Sequence, residues 1–275
     1  MIVGPIGVFD SGIGGLTVVR ELRRLLPDRD VDYLGDVARF PYGTKSAETI
    51  LRFALDDADF LLRRGAGAIV VACHTASSVA LPDLERRLQV PVIGVVEPGA
   101  QALIQATRQH RVGVIGTSAT IRAGAYEQAL RRIKPDIEVV AKATPLLVAL
   151  AEEGWVDGPL VEEVCRHYLR DFVQEGVDAL LLACTHFPLL RPAIGRVVGQ
   201  GIQVVDSATA TAQTVAQIVM SHGTDLKAEN KGLTAEGRLR VYLTDLSPGL
   251  EAVASRFLGA EVGEVVRVTL SRDEK

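Results

Sequence analysis

The sequence predicts an α/β protein of two pseudo-symmetric domains, each a mainly parallel sheet flanked by helices, with an active site in the cleft between them. Three observations carry this. Short runs rich in Val, Ile and Leu alternate with amphipathic stretches, the pattern of parallel strands buried under crossover helices. The segment "IGVFDSGIGGLTVV" (6–19) has a counterpart in "VGVIGTSATIRAGAY" (112–126), each a strand, a small hydroxyl-bearing turn and a helix. "VVACHTAS" (70–77) and "LLACTHFPLL" (181–190) both end an apolar run on Ala-Cys, followed by His and Thr in swapped order.

The elements follow in chain order. Strands are expected over 6–9, 31–35, 68–72, 92–95, 111–116, 137–141, 179–183 and 203–206, where β-branched and aliphatic residues cluster. Between them, Leu16, Val19, Leu22, Leu25 and Leu26 form one helical face. Phe53, Leu55, Phe60 and Leu61 belong to a second helix, and Val161, Val164, Tyr168 and Phe172 to a third. Ser207 is placed as the N-cap of a long helix ending near Gly223, and the polar stretch 225–237 reads as a loop. Strands over 240–245 and 265–270 lack a third matching unit and are expected to extend the earlier sheet. The expected domains are therefore 1–97 with 207–275, and 98–206.

Composition bounds the function. At 275 residues, 48% hydrophobic, the chain can bury a substantial core. A net charge of −4 gives no general basis for binding nucleic acid, whose phosphates call for clustered Lys and Arg. No run reaches a membrane span, and "MIVGPIGVFD" lacks the basic-then-apolar form of a signal peptide, so a cytoplasmic location is expected. Three cysteines without a C-x-x-C pair point to free thiols, with neither a disulfide framework nor a zinc site. "GIGG" (12–15) lacks the spacing of a nucleotide cradle. Cys165 reads as a packed helix residue, and His110, His167 and His222 carry no signal.

In an open α/β sheet, ligands bind beyond the carboxyl ends of the strands, where Asp10, Cys73, Thr117 and Cys184 fall. If the halves face each other about a pseudo-twofold axis, each delivers one thiol to the shared cleft. Two such thiols can invert a carbon bearing an acidic hydrogen: a thiolate removes the proton from one face and a thiol returns one to the other. A cysteine is only a small fraction thiolate at neutral pH, so each needs a neighbour or a helix N-terminus. Asp10 is placed to serve Cys73, and His186 to serve Cys184. Both cysteines are expected to open onto helix starts, whose free N–H groups favour negative charge.

Seven motifs in order resemble the glutamate racemases of the aspartate/glutamate racemase family: "FDSGIGGLTV" (9–18), "YLGDVARFPYGTKS" (33–46), "VVACHTAS", "GVVEPGA" (94–100), "GVIGTSAT" (113–120), "TPLLVALAEEG" (144–154) and "LLACTHFPLL". The resemblance implies a cofactor-independent enzyme, with no metal, that interconverts L- and D-glutamate for peptidoglycan, and often a homodimer. It implies that Cys73 takes the proton from D-glutamate and Cys184 from L-glutamate. Asp10 would assist Cys73, while His186 and Glu152 would assist Cys184. The substrate would be held by Ser11, by the turn of Pro41, Tyr42 and Gly43, and by Thr75, Thr117, Thr120 and Thr185.

His74 departs from the family, which commonly has Asn there in contact with the substrate. An imidazole in that place is expected to add a titration near pH 6.5 to substrate binding, unless His74 turns aside. Thr144 stands where many relatives have Cys. The nearest rival readings are a racemase of aspartate or hydantoin, and a non-catalytic binding or regulatory relative.

Overall fold

The structure is a computed structural model that describes residues 2–221, 236–247, 249–263 and 265–270. The strands and helices alternate along most of the chain. In order they are β1 (Ile6–Asp10), α1 (Leu16–Leu25), β2 (Val31–Gly35), α2 (Ala47–Arg63), β3 (Ala68–Val71), α3 (His74–Arg87), β4 (Val92–Gly94) and α4 (Val96–Ala106). The second set is β5 (Arg111–Gly116), α5 (Ser118–Ala123), α6 (Ala125–Ile133), β6 (Glu138–Ala143), α7 (Leu146–Glu152), α8 (Pro159–Gln174), β7 (Ala179–Ala183), α9 (Arg191–Val198) and β8 (Gln203–Asp206). The last elements are α10 (Ala208–Ser221), β9 (Leu239–Leu243), α11 (Leu250–Leu258) and β10 (Val265–Arg267).

Two parallel sheets result. One has six strands in the order β10-β9-β2-β1-β3-β4, and the other four in the order β6-β5-β7-β8. Four strands of the first, β2-β1-β3-β4, repeat the order of the second, so β1 corresponds to β5 and β3 to β7. The two late strands add to the first sheet beside β2, each pairing in parallel. Every strand pair in both sheets is parallel, and helices cover both faces of each. On the first sheet, α1, α10 and α11 bury Leu16, Val19, Leu22, Val215 and Phe257 on one face, while α2 and α3 bury Ile50, Leu61, Ala80 and Leu84 on the other. On the second, α4 and α6 close one face and α7, α8 and α9 the other. Each fully buried Leu or Ile contributes about 1.5–3 kcal/mol relative to exposure, which favours this layering over any arrangement that leaves a sheet face wet.

Several boundaries match the sequence reading, among them 31–35, 111–116, 179–183 and 203–206. Differences have local causes. On α2 the buried face runs through Ile50, Ala54, Asp57, Ala58, Phe60 and Leu61, leaving Phe53 and Leu55 half-buried at its flank. Small Ala side chains let that helix pack closely, and Arg39 lies over the Phe53 ring, 4.2 Å from its centroid. On α8 the inner face is Val161, Cys165, Leu169 and Phe172, which turns Val164 and Tyr168 partly outward. The expected end of α10 near Gly223, His222 and most of the loop 225–237 lie outside the described residues. No helix among the described residues is long and apolar enough to cross a membrane.

Candidate active site

The equivalence of β3 and β7 brings the two cysteines to corresponding places. Cys73 lies two residues past the end of β3 and is the N-cap of α3, its Sγ accepting from the Ala76 N–H at 3.5 Å. Cys184 follows β7, but what comes next is a 3₁₀ turn over Phe187–Leu190, and α9 starts only at Arg191. The expected helix start at the second cysteine is thus displaced. Pro188 and Pro192 lack the N–H groups that a continuous helix from Thr185 would need. Cys73 faces a helix N-terminus; Cys184 depends on side chains.

Both thiols line one cavity of about 330 Å³. The first sheet's loops contribute Ser11, Cys73, His74, Thr75 and the turn Pro41–Thr44 to its wall, while the second sheet's contribute Thr117, Ser118, Glu152, Cys184, Thr185 and His186. Asp10 and Thr120 are buried just behind that wall. The structure places each residue expected to act in catalysis or substrate binding at or immediately behind a single cleft.

The surroundings of the two thiols differ. Cys73 Sγ lies 3.7 Å from Ser11 Oγ, and the Asp10 carboxyl stands close enough to act on it electrostatically. Asp10 is fully buried; its Oδ2 accepts the Gly15 N–H at 3.0 Å and the Thr185 hydroxyl at 3.4 Å. Burial raises the Asp10 carboxyl above the ordinary range, against the opposing pull of the His186 charge. Burial, then the Asp10 charge, pushes the Cys73 thiol well up, so Cys73 rests protonated.

Beside Cys184 stands an imidazole. His186 Nδ1 lies 3.7 Å from Cys184 Sγ, and Nε2 is in a very short hydrogen bond with Glu152 Oε1. Burial works against charge on this ring, yet the hydrogen bonds to Cys184 and Glu152 raise it to about 10. His186 is thus an imidazolium at neutral pH, with Phe40 and Phe257 rings packed on it at centroid distances of 5.7 and 5.2 Å.

The hydroxyls form a cluster across the halves: Thr75 Oγ1 is 2.9 Å from Thr117 Oγ1 and 3.1 Å from Thr120 Oγ1, and the last two are 2.9 Å apart. Three hydroxyls in mutual contact can reorient to donate together to an anion. Tyr42 differs. Its ring is fully buried and its hydroxyl points away from the cavity, between Asp36 and Asp57 Oδ2, the latter at 2.8 Å. Arg39 clamps the same carboxylates, with Nε 2.5 Å from Asp36 Oδ2 and a terminal nitrogen 2.9 Å from Asp57 Oδ1.

His74 lines the cavity with its ring edge, but both ring nitrogens are engaged: Nδ1 is 2.6 Å from the Tyr126 hydroxyl and Nε2 3.0 Å from Ser207 Oγ. Burial pushes its imidazole down to about 3. The expected titration near pH 6.5 is corrected accordingly: a ring buried to 4% exposure, with both nitrogens engaged, stays neutral across the working range. Sequence reasoning missed Tyr126 and the Arg39, Asp36, Asp57 cluster. The run "YLGDVARFPYGTKS" places three charged residues around an aromatic turn, a signal for the cluster; Tyr126 offered none, since its partners are remote in sequence. Among the described residues no group of three or more His, Cys, Asp or Glu is placed to hold a metal ion.

The model of the Asp/Glu/Hydantoin racemase family matches residues 6–215. A glutamate racemase of Geobacter metallireducens is 46% identical over 270 residues, 98% of each chain. A solved glutamate racemase isoform of Bacillus anthracis superposes with a TM-score of 0.91 at 36% identity, over 98% of this chain and 99% of that one. The glutamate racemase of Francisella tularensis in complex with D-glutamate superposes at 0.89, also at 36% identity, over 98% and 99%. The chain is an enzyme and belongs to the Asp/Glu/Hydantoin racemase family.

Proposed function

We propose that the chain interconverts L- and D-glutamate without a cofactor, by two cysteines acting from the two sides of one cavity. The observation that carries the reading is that Cys73 and Cys184 occupy corresponding strand ends of two like-ordered sheets and open onto the same space. The homologues named as glutamate racemases, and the D-glutamate held by the Francisella tularensis enzyme, support glutamate over aspartate or hydantoin.

In the forward direction Cys184, as thiolate beside the His186 imidazolium, takes the α-proton of L-glutamate. The electron pair left on the α-carbon is delocalised into the adjacent carboxylate. Cys73, resting as a thiol, delivers a proton to the opposite face and becomes the thiolate. The product is D-glutamate; the substrate has given one proton to Cys184 and received one from Cys73, so the starting state returns when Cys184 loses a proton to solvent and Cys73 regains one, with the Asp10 carboxyl beside it. The reverse reaction exchanges the two roles. The hydroxyls of Ser11, Thr75, Thr117, Thr120 and Thr185 suit two carboxylates, since neutral donors stabilise their charge without competing for the transferred proton. Pro41, Tyr42 and Gly43 form the turn that bounds the substrate, and His74 supplies wall.

The reading includes division of the chain into 1–97 with 207–275 and 98–206, a homodimer, a cytoplasmic setting and supply of D-glutamate to peptidoglycan. Its test is incubation with L- or D-glutamate in deuterium oxide. Loss of the α-proton signal together with decay of optical rotation is the expected result. Unchanged rotation and a persistent α-proton signal would reject it, and turnover of aspartate alone would move the substrate assignment.

A further inference from the structure

The chain crosses between the two sheets twice. It leaves the first after β4, which ends at Gly94, and enters α4 at Val96; it returns from β8, ending at Asp206, into α10 at Ala208. The residues at these crossings, Val95 and Ser207, meet around one side chain. His74 Nε2 is 3.0 Å from Ser207 Oγ, and His74 Nδ1 is 2.6 Å from the hydroxyl of Tyr126, which belongs to α6 over the second sheet. That hydroxyl lies 3.4 Å from the Val95 carbonyl, while the Val95 N–H donates to Ser77 Oγ at 3.0 Å. Ser77 stands three residues along α3 from His74, so both crossings are fastened to the first turn of one helix.

We propose that His74 is a positioning residue that pins these two crossings together and thereby fixes how the halves of the cleft stand relative to each other. The inference rests on the two-cysteine reading for its effect on turnover, but not for its structural content. Proton placement agrees with it. The single Tyr126 hydroxyl proton goes to the Val95 carbonyl, so Nδ1–H donates to the Tyr126 oxygen and Nε2 accepts the Ser207 hydroxyl. A neutral ring has one donor and one acceptor, and both are used. His74, Tyr126 and Ser207 are 4%, 3% and 2% exposed, so water cannot take over a lost bond without rearrangement. Packing tightens the joint: a Cβ at Gly99 in α4 would stand 3.2 Å from Ser207 Cβ and 3.3 Å from Tyr126 Cε1, leaving no slack at the crossing.

The proposal separates from substrate contact because Tyr126 and Ser207 do not line the cavity. Amide hydrogen exchange of the ligand-free protein and steady-state kinetics with glutamate are measured on His74→Asn, Tyr126→Phe and Ser207→Ala. Expected is an exchange increase of about tenfold or more at 96–100 and 208–212, confined to those segments, as one buried hydrogen bond is lost. KM should rise in Tyr126→Phe and Ser207→Ala, and the double variant should lose less than the product of the two. His74→Asn, which can still reach one partner, should be milder than His74→Ala. Unchanged exchange at both crossings in Tyr126→Phe and Ser207→Ala would overturn the proposal, as would a rise spread evenly over both sheets. Because exchange is read without substrate, absence of glutamate turnover would reject the function proposed above and leave this result standing.

Discussion

The imidazole of His186 stands 3.7 Å from the Cys184 sulfur on one side and is gripped by Glu152 on the other. Cys73 has no such partner; its neighbours are the Ser11 hydroxyl at 3.7 Å and the carboxyl of Asp10. One thiol therefore sits beside a cation and the other beside a buried carboxyl group. On the proposed two-cysteine reading, this asymmetry favours Cys184 as the base and Cys73 as the acid at rest.

The Glu152 contact should be visible in pH dependence. His186 is raised from an ordinary value near 6.5 to about 10, with the Glu152 hydrogen bond among the causes. A group raised on folding contributes stability that is full below pH 6.5 and lost as pH climbs through about 10. Glu152→Gln should lower the His186 titration, read by NMR of the ring, and move the alkaline loss of activity and stability to lower pH. Identical titrations in the two proteins would remove Glu152 from the role.

The two thiols should be separable by isotope. In Cys73→Ala, Cys184 can still take and return a proton on one face, so L-glutamate should exchange its α-hydrogen in deuterium oxide without inversion. Cys184→Ala should show the mirror behaviour with D-glutamate. Racemisation should fall by roughly 10²–10⁴-fold or more in each, the range for loss of a positioned proton carrier. Comparable racemisation by either variant would sink the two-base mechanism.

How much of this was legible follows from the range of each interaction. The strands 111–116 and 179–183 were readable because a buried parallel strand must be apolar along its whole length. The cysteine pairing was readable because duplication repeats local sequence. His74 was half readable. Its place beside Cys73 is local, but its partners Tyr126 and Ser207 come from other elements, and nothing in "VVACHTAS" foretells them. The Cys184 side was misread locally, since the two prolines of "HFPLLRP" turn a helical start into a 3₁₀ turn.

The Arg39 cluster yields a stability prediction. Arg39 is the cation facing Asp36 and Asp57, both fully buried, and the fork also reaches Asp56 at 2.9 Å. Removing it strands buried negative charge, so Arg39→Ala should cost about 3–5 kcal/mol in denaturant unfolding. Burial, then the Asp36 charge, holds Asp57 well above the ordinary carboxyl range, which disfavours its charged form. Asp57→Asn should then cost far less than Arg39→Ala. Equal losses would show that Asp57 is ionised in the folded protein.

A close approach of the two halves gives the last prediction. Gly43, in the turn that bounds the cavity from the first sheet's side, faces Thr117, the N-cap of α5 on the other; a Cβ on Gly43 would lie 2.6 Å from Thr117 Cβ and 2.9 Å from its Cγ2. No real Cβ sits that near another carbon, and neither atom is the end of a flexible chain, so one backbone must move. Thr117 cannot move freely, because its Oγ1 accepts the Thr120 N–H at 3.2 Å and meets the Thr75 hydroxyl at 2.9 Å. Gly43→Ala should therefore open the cleft at its mouth and loosen the three-threonine cluster. The strain is about 1–3 kcal/mol, the usual cost of overpacking, and it falls on the closed arrangement. KM for glutamate should rise while the melting temperature changes little, since the sheet cores are untouched. A KM equal to that of the unmodified enzyme would mean that the turn and Thr117 separate without consequence, and that substrate is not held between them.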